Sequence, residues 1–503
     1  MAQPVMIVWD CGSTNVRAVA MDTSGKVLAE AKASNQTVSQ PDGPPDWRIW
    51  DVDRIFSDLT ALTARVAGKV PSGAIKGLAV TTWGAEAAPV DRDGNLVYPL
   101  ISWQCSRTAP LMDWIKTKID PREIFRLTGY QIMSFNTLLR LIWIRQNAPA
   151  VWGKTYKFLT ITAILNHRLT GEFSVDPTMA GTSMAFNISR RRWENSLLAL
   201  AGTDESIWPK MVEPGQAIGT VRPDLAGKMN LPAGLPVFAA GHDTQFALYG
   251  SGASADEAIV SSGTWEILSA RIPRFEPDVQ TCSSGILIEP DACGDLVDPQ
   301  FLMMASGTLE WVRNRFYAGE PETGIYSKMT AEAQGVAAGS NGTVFLANFM
   351  PDSGPAAAYK TPGSIVGLNV NTTRAEVYRA AIEGLSCQLR NALEVFSQTL
   401  RFEPKAIRVV GGGSKNPLWN QIRADVTNLP VVTVTHSEAT VLGAAMFAFV
   451  GLREFADINQ ARASIDVGEH RTMPSARRDE YEKIYQRYLR LIRTVGPVYH
   501  GQA

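Results

Sequence analysis

The sequence predicts an α/β protein made of two successive halves, in which mixed sheets pack against helices. Three features favour this class. Strand-like and helix-like patterns alternate along the N-terminal part of the chain. The strand–turn–strand opening at residues 5–22 has a weak counterpart at residues 257–272. The segment 248–256 between them is small and polar, as is typical of a hinge, so the predicted halves are residues 1–248 and 249–503.

The composition is that of an ordinary globular protein with more than one domain. The 503 residues are 45% hydrophobic and 19% charged, which is enough apolar material for more than one core. The chain has 48 Lys and Arg against 49 Asp and Glu, so its net charge is −1. Nucleic-acid binders usually carry a basic surplus or a basic stripe, so we expect no nucleic-acid partner.

The cysteines and apolar segments favour a cytoplasmic protein without a membrane anchor. Five cysteines are scattered without a CxxC pair, which gives no support to a zinc site and is typical of a reducing compartment. No basic segment precedes the short apolar run at the N-terminus, so no signal peptide is predicted. The longest apolar stretch, residues 439–452, is shorter than the roughly 20 residues of a membrane span, and we interpret it as a buried helix.

The elements of the first half follow from hydrophobic patterns and turn residues. Residues 5–10, 16–22 and 27–33 read as three strands in an antiparallel meander. A helical pattern covers residues 51–66, and the apolar run 77–83 reads as a buried strand. Helices are also predicted at residues 136–147 and 162–170, the latter ended by Gly171 and containing His167, which we interpret as structural.

The first candidate site lies where the first predicted strand ends. Asp10 is followed by a turn of small and hydroxyl residues: Gly12, Ser13, Thr14 and Asn15. Such a turn lets backbone N–H groups approach an anion, and the hydroxyls add donors. Asp10 is suited to holding Mg²⁺ through water, because hard cations take oxygen ligands. The alternative is a plain hairpin turn capped by an aspartate.

A similar turn opens the second half. Residues 261–266 place two serines, Gly263 and Thr264 after an apolar strand. One such turn is common, but two, each opening one half of the chain, fit a pair that holds a phosphate chain from two sides as well as they fit two plain hairpin turns.

A third glycine turn joins a strand to a helix. Gly411, Gly412 and Gly413 follow the apolar strand 406–410, while Asn416 suits the N-cap and Pro417 the first helical position. Three glycines permit close approach of a ligand such as a purine ring. A tight packing turn would explain them equally well.

The fourth motif is a polar cluster after the apolar strand 235–239. It consists of His242, Asp243, Thr244 and Gln245, which cost free energy near a buried strand unless they are paired or used. Asp243 is suited to act as a general base for a hydroxyl, and its neighbours to hold a polyol. No GxxxxGK[ST] motif occurs, and the GxGxxA pattern at residues 250–255 lacks the preceding strand and following helix of a dinucleotide site.

In this order and spacing, the four motifs resemble those of the FGGY carbohydrate kinases, in the actin, hexokinase and Hsp70 ATPase superfamily. A fifth segment, residues 363–383, is similar to the C-terminal signature of that family. Within the family, TTWGAEAAPVDRDGNLVYPL, SSGTWEIL and SGTLEWVRNRF look like the bacterial enzymes acting on L-fuculose. The motif GHDTQ separates the chain from glycerol and xylulose kinases, but rhamnulokinases share GHDT.

The resemblance implies two actin-like ATPase (ribonuclease H-like) domains with a nucleotide and sugar cleft between them. It implies the transfer of phosphate from ATP, with Mg²⁺ or another divalent cation, to O1 of L-fuculose. Asp243 is then the catalytic base, and Asp10 is a second catalytic residue that organises Mg²⁺ and the phosphates and holds the ion through water. The residues expected to bind ATP are Gly12, Ser13, Thr14, Asn15, Thr264, Gly307, Gly411, Gly412, Gly413 and Asn416. Those expected to bind the sugar are Gly84, Glu86, His242 and Thr244.

Departures from the family and other functions stay open at this point. Many relatives carry an aspartate within WxDxR, where this chain has Trp103-Gln104-Cys105-Ser106-Arg107, so that sugar contact is not carried over. The competing ketoses are L-rhamnulose, D-ribulose and D-xylulose. Two alternatives belong to other functional classes: a non-enzymatic ATP-binding scaffold and a nicotinamide dehydrogenase. Relatives often form homodimers, although the sequence contains no interface signal.

Overall fold

The computed structural model describes residues 3–41, 43–349 and 360–500. In this part of the chain, the first half is built on a six-stranded mixed sheet in the order β5-β6-β4-β1-β2-β3. Its strands are β1 (Val5–Cys11), β2 (Asn15–Asp22), β3 (Val27–Ser34), β4 (Ile75–Thr82), β5 (Ala217–Thr220) and β6 (Pro236–Phe238). The predicted meander is confirmed, and β4 pairs parallel with β1.

Helices cover one face of this sheet, and smaller groups of two or three strands form separate sheets beside it. The longer helices are α1 (Val52–Ala67), α2 (Thr137–Asn147) and α3 (Ile161–Thr170). All three were predicted, and Gly171 ends α3 in the left-handed region at φ 85°. His167 stacks on Phe173 at a centroid distance of 4.2 Å, which supports its structural interpretation. The shorter helices are Leu111–Lys116, Pro121–Thr128, Pro149–Trp152, Pro177–Gly181, Asn195–Leu198 and Pro223–Lys228.

The second half repeats the plan with an eight-stranded sheet within the described residues. Its strands are β7 (Glu257–Ser262), β8 (Trp265–Ser269), β9 (Ile272–Pro273), β10 (Leu287–Pro290), β11 (Leu296–Met304), β12 (Ala406–Val410), β13 (Val431–Val434) and β14 (Glu469–Thr472). Strand β7 pairs antiparallel with β8 and parallel with β12, as β1 does with β2 and β4. The predicted duplication of the strand–turn–strand opening is therefore confirmed.

The helices that carry the site and the second core are α4 (Asp243–Gly250), α5 (Ser306–Phe316), α6 (Arg374–Leu400), α7 (Pro417–Thr427), α8 (Ala439–Gly451), α9 (Ile458–Ser464) and α10 (Arg478–Tyr499). Further helices in this half are Val279–Ser283 and Ile325–Gln334. None of the described helices is long and apolar enough to span a bilayer.

Two helices lie between the sheets and join the halves. The predicted buried helix α8 packs in one apolar cluster with Met6 and Val8 of β1, so a helix of the second half covers a face of the first sheet. Its partner is α4, and the two approach closely at glycines: a Cβ on Gly443 would lie 1.9 Å from the Phe246 carbonyl oxygen. The predicted division between residues 248 and 249 falls within α4 and stays a prediction.

Candidate active site

Asp10 lies near the end of β1, and Arg17 of β2 holds its carboxylate. Antiparallel pairing sets the two residues opposite each other. Arg17 donates from Nε and Nη2 to Asp10 Oδ2 at 3.0 and 2.6 Å. Arg17 Nη1 also lies 2.7 Å from Glu438 Oε2, at the start of α8. Burial raises the pKa of Asp10, and the Arg17 charge opposes that effect. One guanidinium thus links the first strand pair to the helix between the sheets.

The turn after Asp10 is held by backbone and amide contacts. The Gly12 N–H donates to the Asn15 carbonyl at 2.9 Å, and Asn35 Nδ2 donates to the Gly12 carbonyl at the same distance. The side chains of Thr14 and Asn15 are exposed. The turn therefore has a fixed backbone and free polar groups at its tip, as a phosphate-binding turn needs.

Asp243 is the first residue of α4 and sits beside His242. Its Oδ1 accepts the Thr244 N–H at 2.7 Å and lies 3.4 Å from His242 Nε2. Burial raises the pKa of Asp243 to about 6, the nearby Asp10 charge adds to the rise, and His242 opposes it. The carboxylate is thus mostly ionised at neutral pH and close to Asp10, which is the state required of a general base.

His242 is held by a buried acid from the other half. Its Nδ1 lies 3.3 Å from Glu289 Oε2 on β10. Burial lowers the pKa of His242, but the Glu289 carboxylate and the neighbouring aspartates outweigh it and raise that pKa to about 9. Glu289 also accepts hydrogen bonds from the Tyr130 hydroxyl and, at 2.5 Å, from Gln245 Nε2. The site thus contains a positively charged imidazole in a fixed orientation.

Gly84 brings the loop after β4 against His242. A Cβ on Gly84 would lie 2.7 Å from Thr182 Cγ2 and 2.9 Å from His242 Nε2. Thr82 and His242 also form a parallel backbone bridge, which aligns the two segments. Of the residues predicted to bind sugar, Gly84 and His242 are therefore in direct proximity, with Thr244 one residue beyond Asp243.

Glu86 lies under the same loop and is fully buried. Trp83 Nε1 donates to its Oε2 at 2.6 Å, and the Trp103 N–H donates to its Oε1 at 2.5 Å. Burial raises the pKa of Glu86 to about 7, against the effect of Arg140, whose Nη2 lies 3.9 Å away. Trp83 is buried and packs on Trp50, so it belongs to the core and orients Glu86. Glu86 in turn fixes the Trp103 segment.

We expect Gly84→Ala to raise KM for the sugar about tenfold or more while leaving KM for ATP within about twofold, because the added methyl displaces His242. Steady-state kinetics with each substrate varied in turn measures both values. Gly73→Ala is the matched control, since a Cβ there has no heavy atom within 4 Å. An unchanged sugar KM in Gly84→Ala would contradict the predicted sugar site at Gly84 and His242.

The nucleotide-side residues of the second half meet around Ser262. A Cβ on Gly413 would lie 2.1 Å from Ser262 Oγ, and Gly411 adopts φ 85° with its Cβ position 2.8 Å from the Ser262 carbonyl. Arg423 donates to Ser262 Oγ at 2.8 Å and stacks on Trp419 at 3.7 Å. Gly411 and Gly413 are thus required because Ser262 lies too close to both for a larger side chain. This contact accounts for the two glycines by packing.

Thr264 and Gly307 are neighbours, as the resemblance implies. The Gly307 N–H donates to the Thr264 carbonyl at 3.2 Å, and the N–H of Ser306 donates to the Gly263 carbonyl at 3.1 Å. The β7–β8 turn is therefore fastened to the start of α5. Asn416 caps α7 by accepting the Trp419 N–H at 3.1 Å, which confirms the predicted N-cap.

Two cavities of about 640 and 620 Å³ share the glycine turn, since Gly412 and Lys415 line both. The first is also lined by Tyr326, Tyr378 and Asn416, which provide an aromatic wall suited to a purine. The second reaches from the glycine turn to Arg17 of the first half, and its lining further includes Ser261, Glu438 and Ala247 of α4. The two cavities together thus run from the aromatic wall along the glycine turn to Arg17, which holds Asp10.

The carboxylates of the site fit a Mg²⁺ ion that takes part of its ligands from the substrate. Among the described side chains, no group of three or more His, Cys, Asp or Glu converges as a closed metal site would require. Mg²⁺ commonly takes one or two carboxylates and completes its shell with water and phosphate oxygens. Asp10 provides one such carboxylate near the end of β1, and Asp243 interacts with it electrostatically from the start of α4.

Sequence reasoning missed Arg17, Glu289 and Tyr326. The signal for Arg17 was present, because the register of a tight hairpin places it opposite Asp10. Glu289 reaches His242 from a distant strand, and Tyr326 reaches the glycine turn from the helix Ile325–Gln334. No local pattern marks either contact.

Two family profiles match the chain along most of its length. The profile of the N-terminal domain of the FGGY family of carbohydrate kinases matches residues 5–250, and that of the C-terminal domain matches residues 258–452. The motifs described above fall within these ranges.

Individual kinases are also similar to this chain over nearly its whole length. The L-fuculokinase of Escherichia coli (strain K12) is 39% identical over 465 residues, covering 92% of this chain and 96% of that protein. The L-fuculokinase of Haemophilus influenzae is 36% identical over 477 residues, covering 94% and 100%. The crystal structure of xylulose kinase from Rhodospirillum rubrum has a TM-score of 0.88 at 21% identity, covering 99% of this chain and 100% of that one, which shows a shared fold.

Proposed function

The chain belongs to the FGGY family of carbohydrate kinases, and we propose that it transfers the γ-phosphoryl group of ATP to O1 of L-fuculose. The observation that carries the catalytic part is Asp243, an ionisable base at the start of α4, close to Asp10. The choice of L-fuculose rests on the similarity to the two L-fuculokinases.

In the proposed reaction, Asp243 accepts the proton of the C1 hydroxyl as that oxygen attacks the γ-phosphorus. The bond from the γ-phosphorus to the β–γ bridging oxygen breaks, and ADP leaves with the electron pair. General-base assistance of this kind contributes typically about 10²–10⁴-fold. His242, fixed by Glu289, keeps Asp243 ionised and offers a donor to a sugar hydroxyl.

The sugar is proposed to lie over Gly84 and beside His242 and Thr244, with Glu86 holding the wall of that site from beneath. Glu86 is fully buried, so it acts by fixing the Trp103 segment through its hydrogen bond to that N–H. This differs from a direct sugar contact, which the resemblance alone would suggest.

The nucleotide is proposed to extend along the glycine turn, with adenosine against Gly411, Gly412, Gly413 and Asn416. Its phosphates would lie between the turn at residues 12–15 and the turn that contains Thr264, near Gly307. A divalent cation such as Mg²⁺, held by Asp10 through water and by the phosphates, would offset the negative charge that develops on the transferring group. Fixed backbone N–H dipoles would provide the rest of the positive potential around the phosphates. This fits a chain with a net charge of −1, which has no basic surplus with which to bind a polyanion.

The pH profile tests the assignment of the base. Burial raises the pKa of Asp243 to about 6, and only the ionised form accepts a proton. Thus kcat/KM is expected to fall about tenfold per pH unit as the pH drops below about 6. The rate is measured between about pH 4.5 and 8, with circular dichroism at each pH to confirm folding. Full activity at about pH 4.5 would indicate a base with an ordinary carboxyl pKa and contradict the assignment.

Product analysis tests the reaction itself. With L-fuculose labelled with ¹³C at C1, transfer to O1 is expected to give a phosphomonoester whose ³¹P signal couples to that carbon. A phosphoester without this coupling would place the phosphate on another hydroxyl and overturn the proposed position of attack. Release of inorganic phosphate without a sugar ester would overturn sugar phosphorylation.

A further inference from the structure

A third cavity, of about 670 Å³, opens on the second half and shares no lining residue with the two nucleotide-side cavities. It is bounded by strand β9, the C-terminal end of α6 and helix α9. Tyr249, on the last turn of α4, forms part of its floor. A volume between roughly 300 and 1,000 Å³ is typical of small-molecule sites.

Two arginines converge in this cleft without an acid partner. The guanidinium groups of Arg271 and Arg462 both donate through Nη2 to the carbonyl of Ala253, the former at 2.6 Å. Arg271 is 6% exposed, and the Nε atoms of both arginines are buried with no hydrogen-bond partner. In the described part of the chain, no carboxylate oxygen lies within 4.0 Å of either guanidinium.

Such an arrangement is unfavourable while the cleft holds only water. Burial and then repulsion from Arg271 lower the pKa of Arg462 to about 10, so Arg462 stays charged at neutral pH. One carbonyl oxygen is the shared hydrogen-bond acceptor of both guanidiniums, and the nearby Asp298 carboxyl interacts with Arg271 without a direct ion pair. An anion would supply charge-assisted hydrogen bonds, for which the planar guanidinium is well suited.

Apolar side chains form one wall of the cleft: Ile272, Phe275, Leu400 and Phe402, with Ile458 on α9. The rest of the lining includes a third arginine, Arg401, and one acid, Asp295. We propose that this cleft binds a small organic anion, with a carboxylate or phosphate head against Arg271 and Arg462 and an apolar body against Phe275 and Phe402. A fully hydrated inorganic ion would leave that wall unused.

The cleft is connected to the proposed catalytic base through α4. The Arg271 guanidinium lies over the Tyr249 ring at 4.6 Å, and the Tyr249 hydroxyl donates to Asp291 Oδ1 at 2.5 Å. Asp291 follows β10, whose Glu289 pairs with His242. Tyr249 and Asp243 lie on the same short helix. An anion that moves Arg271 therefore acts on the element that carries Asp243, and the cleft is an effector site.

Binding is tested with the full chain and without ATP or ketose, so that the result does not depend on the proposed function. The probes are 3-phenylpropionate and phenyl phosphate, which distinguish the two head groups, and neutral 3-phenylpropanamide is the control ligand. Calorimetry is expected to detect binding of at least one anion and no binding of the amide. Arg462→Met is expected to weaken anion binding about tenfold or more, because a charged hydrogen bond is lost. Arg453→Met, at an exposed arginine outside the cleft, matches the change in net charge and should bind as wild type.

A second variant keeps the test independent of any folding defect in Arg462→Met. Pro273 is exposed at the mouth of the cleft, so Pro273→Glu adds a negative charge there without entering the core. It should also weaken anion binding. Equal binding of the amide and the anions, no binding of either anion, or anion binding unaffected by both variants would overturn the site. If the anion binds but leaves kcat and KM of the wild-type kinase unchanged, the site is not an effector site and that part of the proposal fails.

Discussion

Asp243→Asn is expected to lower kcat with ATP and L-fuculose by roughly 10²–10⁴-fold, because the amide cannot accept the C1 hydroxyl proton. The change preserves the size of the side chain and its hydrogen bond from the Thr244 N–H, which reaches Oδ1 at 2.7 Å. Binding of ATP should change by less than about twofold, since adenosine is proposed to sit along the distant glycine turn. Steady-state rates and the Kd for ATP measure the two effects separately.

A second aspartate provides the matched control for that loss. Asp224 also lies in the first turn of a short helix, Pro223–Lys228, but it is exposed and contacts only the exposed Arg222 among the described residues. Asp224→Asn should retain wild-type kcat. Turnover of Asp243→Asn close to that of Asp224→Asn would show that another group takes the proton.

Gly443→Ala is expected to destabilise the protein by about 1–3 kcal/mol, the usual cost of forcing an extra carbon into a packed interface. The added Cβ would lie 1.9 Å from the Phe246 carbonyl oxygen and 3.2 Å from the Gly250 nitrogen, both backbone atoms of α4. Helices α4 and α8 must then separate, and α4 carries Asp243. We therefore expect lower kcat as well as a lower free energy of unfolding, measured by urea denaturation.

The sign of this effect is the reverse of intrinsic helix propensity. Alanine is favoured over glycine inside a helix by up to about 1 kcal/mol, so a glycine that only occupies helix would gain stability on replacement. Gly227, in the helix Pro223–Lys228, has no heavy atom near its Cβ position, and Gly227→Ala should be neutral or stabilising. Equal stabilisation by both substitutions would mean that α4 and α8 do not touch closely.

Individual strands and helices could be predicted from the sequence, because each is specified by residues within one short segment. The meander at β1, β2 and β3 follows from alternating apolar residues and tight turns, and Asn416 marked the start of α7 by its capping chemistry. The α/β class and the two-domain, actin-like architecture are confirmed by the family profiles and the shared fold. The α/β class followed from the alternation of strand and helix patterns, whereas the actin-like architecture was implied by the resemblance to the family.

What local pattern could not predict is which distant groups meet. The helix α8 belongs to the second half in sequence but covers a face of the first sheet, because its sides are apolar all round and both neighbours bury it. Glu289 reaches His242 only through the path of β10. Gly411 and Gly413 were interpreted as making room for a ligand or for packing, and the structure assigns them close contacts with Ser262. Their part in binding ATP stays a proposal.

The central claim is that this kinase acts on L-fuculose, and a comparison of kcat/KM among ketoses tests it most directly. ADP release is measured with Mg-ATP and L-fuculose, L-rhamnulose, D-ribulose or D-xylulose, together with a blank that contains no sugar. We expect the highest kcat/KM for L-fuculose and little release in the blank. A higher value for another ketose would contradict the choice of substrate while leaving the kinase assignment intact. ADP release that does not depend on any of these sugars would contradict the account of the reaction.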